Sequence, residues 1–491
     1  MKIVRQSKRS RPVRVAVIGA GFGGLVTAVK LKRAGVEFVV FAAEPGPGGT
    51  WWRNTYPGCE VDVASVLYSL SFYPRSWSRT HATQGELLEY IEELVDDFGL
   101  RPHIQFSTRV EQVEWNDADG TYQVTTDAGT VEQFNFVVSA VGFLGDPNIP
   151  AWPGLDEFDG EAFHTLWWRH DLDLTGKKVA LVGNGSTATQ IAPEVAAVAD
   201  NLTIFIREPG WILPKGERDF TEAERINNAK PWNYRLSRLR ILARTQWAYV
   251  GGAVHETGSK RNVRAEARAR DYINTTFKDR PDLREKVTPK YPYSGKRRIL
   301  QSTYYPTLLR DNVDLVDSSV NKILRGGVVS ARGDEYEADV IIMATGFKAS
   351  EYLSTLRVIG RGGRQLADKW RDSAYAFLGM TVDEFPNFYM LYGPNTNGGP
   401  ILVHHELQAD HIVADVRRLA KHGWRSLEVR ESVVRKYNQV LQQRLSKTAW
   451  ATSNNYMKGP DGRIVTQWGD GMISFWLLHK LLRRSVMRGR R

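Results

Sequence analysis

The sequence predicts an α/β fold made of two Rossmann-like units and a helical insertion, and three observations carry that expectation. Two short apolar runs each enter a glycine-rich turn and leave it as a helical stretch, near residues 13–32 and 178–198. Both show the strand–turn–helix order of a parallel sheet covered by helices. A third stretch, Lys215–Lys290, lacks that order and is rich in Arg and Ala at helical spacing, as in Ala265–Phe277.

In the first unit, Val13–Ile18 reads as a buried strand that runs directly into Gly19-Ala-Gly21-Phe-Gly-Gly24. Gly19 permits a tight turn, Gly21 lets a pyrophosphate approach the backbone, and Gly24 lets the helix Leu25–Lys32 pack closely on the strand. The free N–H groups and positive dipole end of that helix favour a phosphate. The following strand, Val36–Phe41, ends in Ala42-Ala43-Glu44. Glu44 is the only acid in range of a ribose, and a solvated turn residue before Pro45 is an equally good reading of it.

The second unit begins with the strand Lys178–Val182 and the turn Gly183-Asn-Gly185-Ser186-Thr187-Ala188, in which Ala188 takes the third small position. Gly183, Gly185, Ser186 and Thr187 are therefore candidate contacts to a second dinucleotide. A helix, Thr189–Val198, and a strand, Leu202–Ile206, lead to Arg207. A cation at that strand end suits the 2′-phosphate of NADP, whereas the neighbouring Glu208 opposes it.

Bulk properties narrow the function classes. At 491 residues, 42% hydrophobic and 25% charged, the chain is sized for two to three domains with their own cores. No apolar run approaches the roughly 18–20 residues that span a bilayer, so no integral membrane segment is expected. The basic start, Met1–Pro12, lacks the apolar stretch of a secretory signal. A single cysteine, Cys59, excludes an internal disulfide and a Cys-rich metal site, and with it a cytoplasmic location is expected. His404-His405 has no third ligand at metal-binding spacing, so no metal is predicted. The net charge of +11 is spread over the chain and densest at 235–244, 260–270 and 483–491. No nucleic-acid module accompanies it, which leaves solvated helix faces and attraction for anionic cofactors.

Between the two loops lies Phe158-x-Gly160-x-x-x-His164-x-x-x-Trp168. With both loops in place, the chain resembles the class B flavoprotein monooxygenases, and through this stretch and its terminal Trp168 it resembles the type I Baeyer–Villiger monooxygenases. Gly48-Gly-Thr50-Trp51, Asn54-x-Tyr56-Pro57-Gly58 and Asp62 are similar to that family's flavin-contacting segment, to which Tyr68 is added. Ala344-Thr-Gly-Phe347 resembles the return from the nucleotide domain, and Lys296-Arg297, ahead of Tyr304-Tyr305, resembles the segment carrying the active-site arginine.

The resemblance implies FAD on the first loop, NADPH on the second, and O2 and a ketone as substrates, giving an ester or lactone through a C4a-peroxyflavin. Arg297 would stabilise the peroxide anion, because its guanidinium stays charged and its fork is rigid. Asp62 would orient it. Arg207 and Lys296 would pair with the 2′-phosphate, Trp51 would neighbour the flavin, and His164 would serve the link between the domains. Three positions depart from the family pattern: Arg169 in the linker, Ala42 at the usual ribose glutamate, and Glu208 at a usual small hydroxyl residue. An N- or S-oxygenase and an NADPH-oxidising flavoprotein remain as alternatives. The expected domains are FAD-binding at 1–145 and 344–491, NADPH-binding at 146–214 and 291–343, and the insertion at 215–290. The insertion and the Asn395–Val403 loop are expected to line the substrate pocket.

Overall fold

The computed structural model describes residues 12–249 and 254–491. The strand Arg14–Ile18 pairs in parallel with Glu37–Phe41 on one side and Phe136–Ser139 on the other. Ile104–Gln105 and Phe388–Met390 complete a five-stranded parallel sheet. Successive side chains of its central strand serve two cores, as the two-residue period requires. Val15 and Val17 pack under the helix Phe22–Arg33, while Ala16 and Ile18 pack with Val113, Trp115 and Phe385 on the other face.

The second sheet repeats this construction. Lys178–Val182 lies between Asn201–Phe205 and Val340–Met343, flanked by Val313–Val316 and Glu161–His164, all parallel. Each sheet also receives an antiparallel meander just before its returning strand. In the first unit it is Val110–Asn116, Thr121–Thr126 and Val131–Phe134; in the second it is Val320–Leu324, Gly327–Ser330 and Glu335–Glu337. Both loop helices begin three residues earlier than the apolar periodicity predicts, at Phe22 and Ser186. Gly21 and Gly185 are their N-caps, so residues expected to finish the turn form the first helical turn instead.

Helices Glu222–Ala229, Pro231–Tyr249, Lys260–Thr276 and Pro281–Val287 build the insertion. The first of them starts on a capping box between Thr221 and Glu224. Near the C-terminus, the long helix Ile401–His422 packs along Phe22–Arg33, and Gly471–Val486 packs against it in turn.

Two chain crossings join the units, and they run side by side. Asn148 N–H donates to the Gly346 carbonyl (2.8 Å), Lys348 N–H donates to Asp146 (2.9 Å), and the Thr345 hydroxyl donates to Asn148 O (2.6 Å). His164 clasps the pair. Its Nδ1 accepts from Leu166 N–H (3.1 Å), which leaves the proton on Nε2 to donate to Gly346 O (3.1 Å). Gly160 is required by crowding, since a Cβ there would lie 2.2 Å from Asp339 O. Phe158 packs on the core of the second unit, and Trp168 stands edge-on to Phe163 at 5.5 Å. Arg169 pairs with Glu161 (3.0 Å) and Asp171 (2.8 Å), which ties down this end of the linker.

Candidate active site

The first glycine turn is shaped by contact with the backbone behind it. Gly19 has φ +111°, and a Cβ there would lie 2.6 Å from Ala140 O. A Cβ on Gly24 would come 1.8 Å from Gly19 O, so nothing larger than glycine fits. The turn at Gly48-Gly49 closes over this loop, with Gly48 N–H donating to Ala20 O at 2.9 Å. It delivers Thr50, exposed, to the start of the short helix Thr50–Arg53, and Trp51, buried, to its inner face. Trp51 stands edge-on to Tyr68 (5.5 Å), and Tyr68 edge-on to Phe22 (5.8 Å). A cradle of close-packed glycines beside an aromatic wall fits the pyrophosphate and the ring system of a flavin nucleotide. Glu44 lies past the second strand with its carboxylate 3.5 Å from Arg53, while Ala42 is buried in the sheet.

The second turn offers open ground. Nothing lies within 4 Å of a Cβ placed on Gly185, so the N-terminus of Ser186–Ala196 faces free space suited to a phosphate. Thr187 donates to the Tyr56 hydroxyl (3.4 Å), which donates to Gln190 Oε1 (3.1 Å), and Gln190 Nε2 donates to Glu60 O (2.9 Å). The helix of the second unit is thus fastened to the 56–60 segment of the first. Arg207 is exposed at the end of its strand. Lys296 is instead ion-paired with Glu208 and sits 5.1 Å from the Tyr291 ring centre. The two cations expected at the 2′-phosphate therefore stand in different states, one open and one already engaged.

Arg297 and Asp62 meet across the seam between the units, with Nη2 donating to Oδ2. Water reaches 43% of the arginine side chain and 25% of the aspartate side chain although protein surrounds both, which marks the wall of a cleft. Burial alone would raise the Asp62 carboxyl. The guanidiniums of Arg297 and Arg298 and the Lys215 ammonium outweigh it and hold the group below its ordinary value. The carboxylate in turn raises Arg297, which keeps its proton throughout. Tyr392 and Tyr456 are close enough for this charge to act on their phenols, and burial pushes the Tyr392 phenol up. The Tyr392 hydroxyl donates to Asn397 Oδ1 (3.0 Å), and its ring meets His404 at 5.5 Å and His405 at 5.7 Å. Burial pulls those histidines down to about 4 and about 3, so both are neutral packing partners. Two residues from Asp62, Glu60 pairs with Lys215, whose side chain is inaccessible. One short segment thus grips two cations of the opposite part. Cys59 is buried, with its thiol pushed up to about 12 by burial, and is inert.

Tyr392, Tyr456 and the Glu60–Lys215 pair were not legible as site residues, because each reaches the Arg297–Asp62 segment or its own partner only across a long stretch of chain, and no local motif surrounds it. No cluster of metal-binding side chains occurs among the described residues.

Fold and site together define a two-nucleotide flavoprotein. The model of the family "flavin-binding monooxygenase-like" matches residues 12–221. A Baeyer–Villiger monooxygenase of Streptomyces coelicolor is 40% identical over 93% of this chain and 88% of its own length. One from Pseudomonas aeruginosa is 34% identical over 94% and 88%. Among solved structures, the OTEMO complex with FAD and NADP aligns with TM-score 0.87 at 26% identity over 98% of this chain and 100% of that one. Oxidized steroid monooxygenase bound to NADP gives 0.87 at 29% over 97% and 99%. The chain belongs to the type I Baeyer–Villiger monooxygenases, flavin-dependent enzymes with Rossmann-type domains for FAD and NADP.

Proposed function

We propose that the protein inserts one oxygen atom of O2 beside the carbonyl of a ketone, giving an ester or lactone, with FAD on the Gly19 loop and NADPH on the Gly183 loop. FAD is assigned to 1–145 and 344–491, NADPH to 146–214 and 291–343, and the insertion 215–290 to the pocket side. The observation that carries this reading is the Arg297–Asp62 pair, which brings a fixed positive charge to a cleft beside the flavin cradle.

When bound and reduced, FAD supplies the activation of O2. The chain's own residues do the rest. Arg297 holds negative charge where the carbonyl oxygen becomes an oxyanion, and it cannot quench that charge by giving up a proton. Asp62 fixes the plane of the fork. Trp51, Tyr68 and Tyr392 wall the cleft and exclude water. NADPH, H⁺, O2 and ketone are consumed, and NADP⁺, water and ester are formed. The single cysteine supports a reducing, cytoplasmic setting, and no described helix is long and apolar enough to cross a membrane.

The test uses ¹⁸O2 with purified FAD-loaded protein, NADPH and a panel of cyclic, linear and aryl ketones. One labelled oxygen in an ester is the expected result. Label found only in peroxide and water, or only on sulfur and nitrogen substrates, would overturn the reading.

A further inference from the structure

The exposed side of the helix Pro231–Tyr249 is its apolar side. Trp232, Leu236, Leu239, Ala243 and Trp247 recur at intervals of four, three, four and four residues, which places them in one stripe. They face solvent, with Trp232 79%, Leu239 63% and Trp247 72% exposed. The opposite side is occupied: Tyr234 is buried, and Arg238 donates to Val66 O (2.8 Å) and Ser69 O (2.7 Å). Arg235, Arg240 and Arg244 flank the stripe.

The helix Gly471–Val486 is apolar on both sides and likewise exposes large apolar residues. Met472, Phe475 and His479 point inward, while Ile473, Trp476, Leu477 and Leu481 are exposed, Leu481 by 71%. The two helices touch, and Met472 N–H donates to Gln246 Oε1 at 2.6 Å, which brings Trp247 and Ile473 to the junction of the two stripes. A continuous face of exposed Trp, Leu and Ile results. Apolar patches of this kind on a protein surface mark interaction sites.

Charge selects the occupant. Neither helix contains Asp or Glu, and the exposed cations Arg235, Arg240 and Arg244 flank the first stripe while Lys480 stands 5.9 Å from the Trp476 ring centre on the second. A second copy would bring the same cations against each other, on a chain of net charge +11. A bilayer surface of anionic lipid supplies an apolar layer for the rings and phosphates for the arginines. We propose that this two-helix face seats the enzyme on anionic membrane surfaces as a peripheral protein.

The experiment is co-sedimentation of the FAD-loaded enzyme with phosphatidylglycerol vesicles and, separately, phosphatidylcholine vesicles, followed by flavin absorbance and tryptophan emission. Binding to phosphatidylglycerol with a blue-shifted emission is expected, weakened about tenfold or more by raising salt to about 0.5 M. The variant Trp232→Ser/Leu239→Ser/Leu481→Ser should lose at least about tenfold in vesicle binding while keeping its FAD and its vesicle-free activity. Three results would overturn the proposal: no sedimentation with phosphatidylglycerol at low salt, binding unchanged in the triple variant, or a dimer in light scattering that the triple variant dissolves.

Discussion

The two nucleotide units share a backbone plan and differ in what each loop end holds. In both, the first glycine packs against the carbonyl that follows the returning strand: a Cβ would lie 2.6 Å from Ala140 O at Gly19 and 2.3 Å from Ala344 O at Gly183. The third small position separates them. Gly24 has no room for a methyl group, whereas Ala188 carries one and is fully buried. The strand ends diverge further. Glu44 in the first unit faces Arg53, whereas Glu208 in the second neutralises Lys296. Steric demand therefore repeats at the first glycine and parts at the third, and charge separates the strand ends.

The largest break in that comparison is expected at Gly24→Ala. With 1.8 Å to a backbone oxygen, the methyl group must displace the first turn, and the purified protein should be colourless. A yellow Gly24→Ala protein with a full complement of FAD would show that the two loops are equally tolerant.

Next in size is the residue that joins the units. Arg297→Ala should keep FAD and lose about 10²–10³ in ester formation, since one donor to a developing oxyanion is removed. Asp62→Asn should cost less, because it only orients the arginine. Flavin reduction and ester yield are measured separately in stopped flow and by product analysis, and wild-type ester yield from Arg297→Ala would reassign the role. The pH dependence has a definite sign. Asp62 is held below the ordinary aspartate range by the neighbouring cations, so the pair's contribution is complete above about pH 5 and is lost only as pH falls through the lowered value. Ester formation should show no acid limb from this pair near neutrality, and a limb there that vanishes in Asp62→Asn would contradict the assignment.

Glu208→Thr releases Lys296 and should raise kcat/KM for NADPH by roughly tenfold, about 1.5 kcal/mol for a charged hydrogen bond, with NADH little changed. Equal change for both coenzymes in steady-state assays would remove Lys296 from the 2′-phosphate. The smallest effect is expected from Ala188→Gly, about 1 kcal/mol of helix stability in a thermal melt, with KM for NADPH within about threefold.

Much of this architecture was legible because its determinants are local. Strand, glycine turn and helix occupy consecutive residues in each unit, and the helix boundaries slipped only because Gly21 and Gly185 cap directly. The Phe158–Trp168 stretch was readable only as a family pattern, since the carbonyls that Gly160 and His164 answer to belong to Asp339 and Gly346, far along the chain. The state of Lys296 was not legible, since its partner lies 88 residues away. Half of the seam was equally hidden: Glu60 reaches Lys215 only after two sheets have folded and met, whereas the Asp62–Arg297 pair was expected from the family resemblance alone. The insertion's helical character followed from composition, but which side of Pro231–Tyr249 faces solvent did not, because an apolar stripe on a helix ordinarily predicts the buried side.

The paired crossings at 146–148 and 344–348 have a mechanical consequence. A single strand between two bodies is a swivel, free to twist. Two antiparallel strands bonded to each other, with His164 pinning Gly346, form a ribbon that resists torsion and yields to flexure. The nucleotide unit is thereby left one soft direction in which to tilt against the flavin unit. The Glu60–Lys215 and Asp62–Arg297 pairs lie across the seam that such a tilt would open.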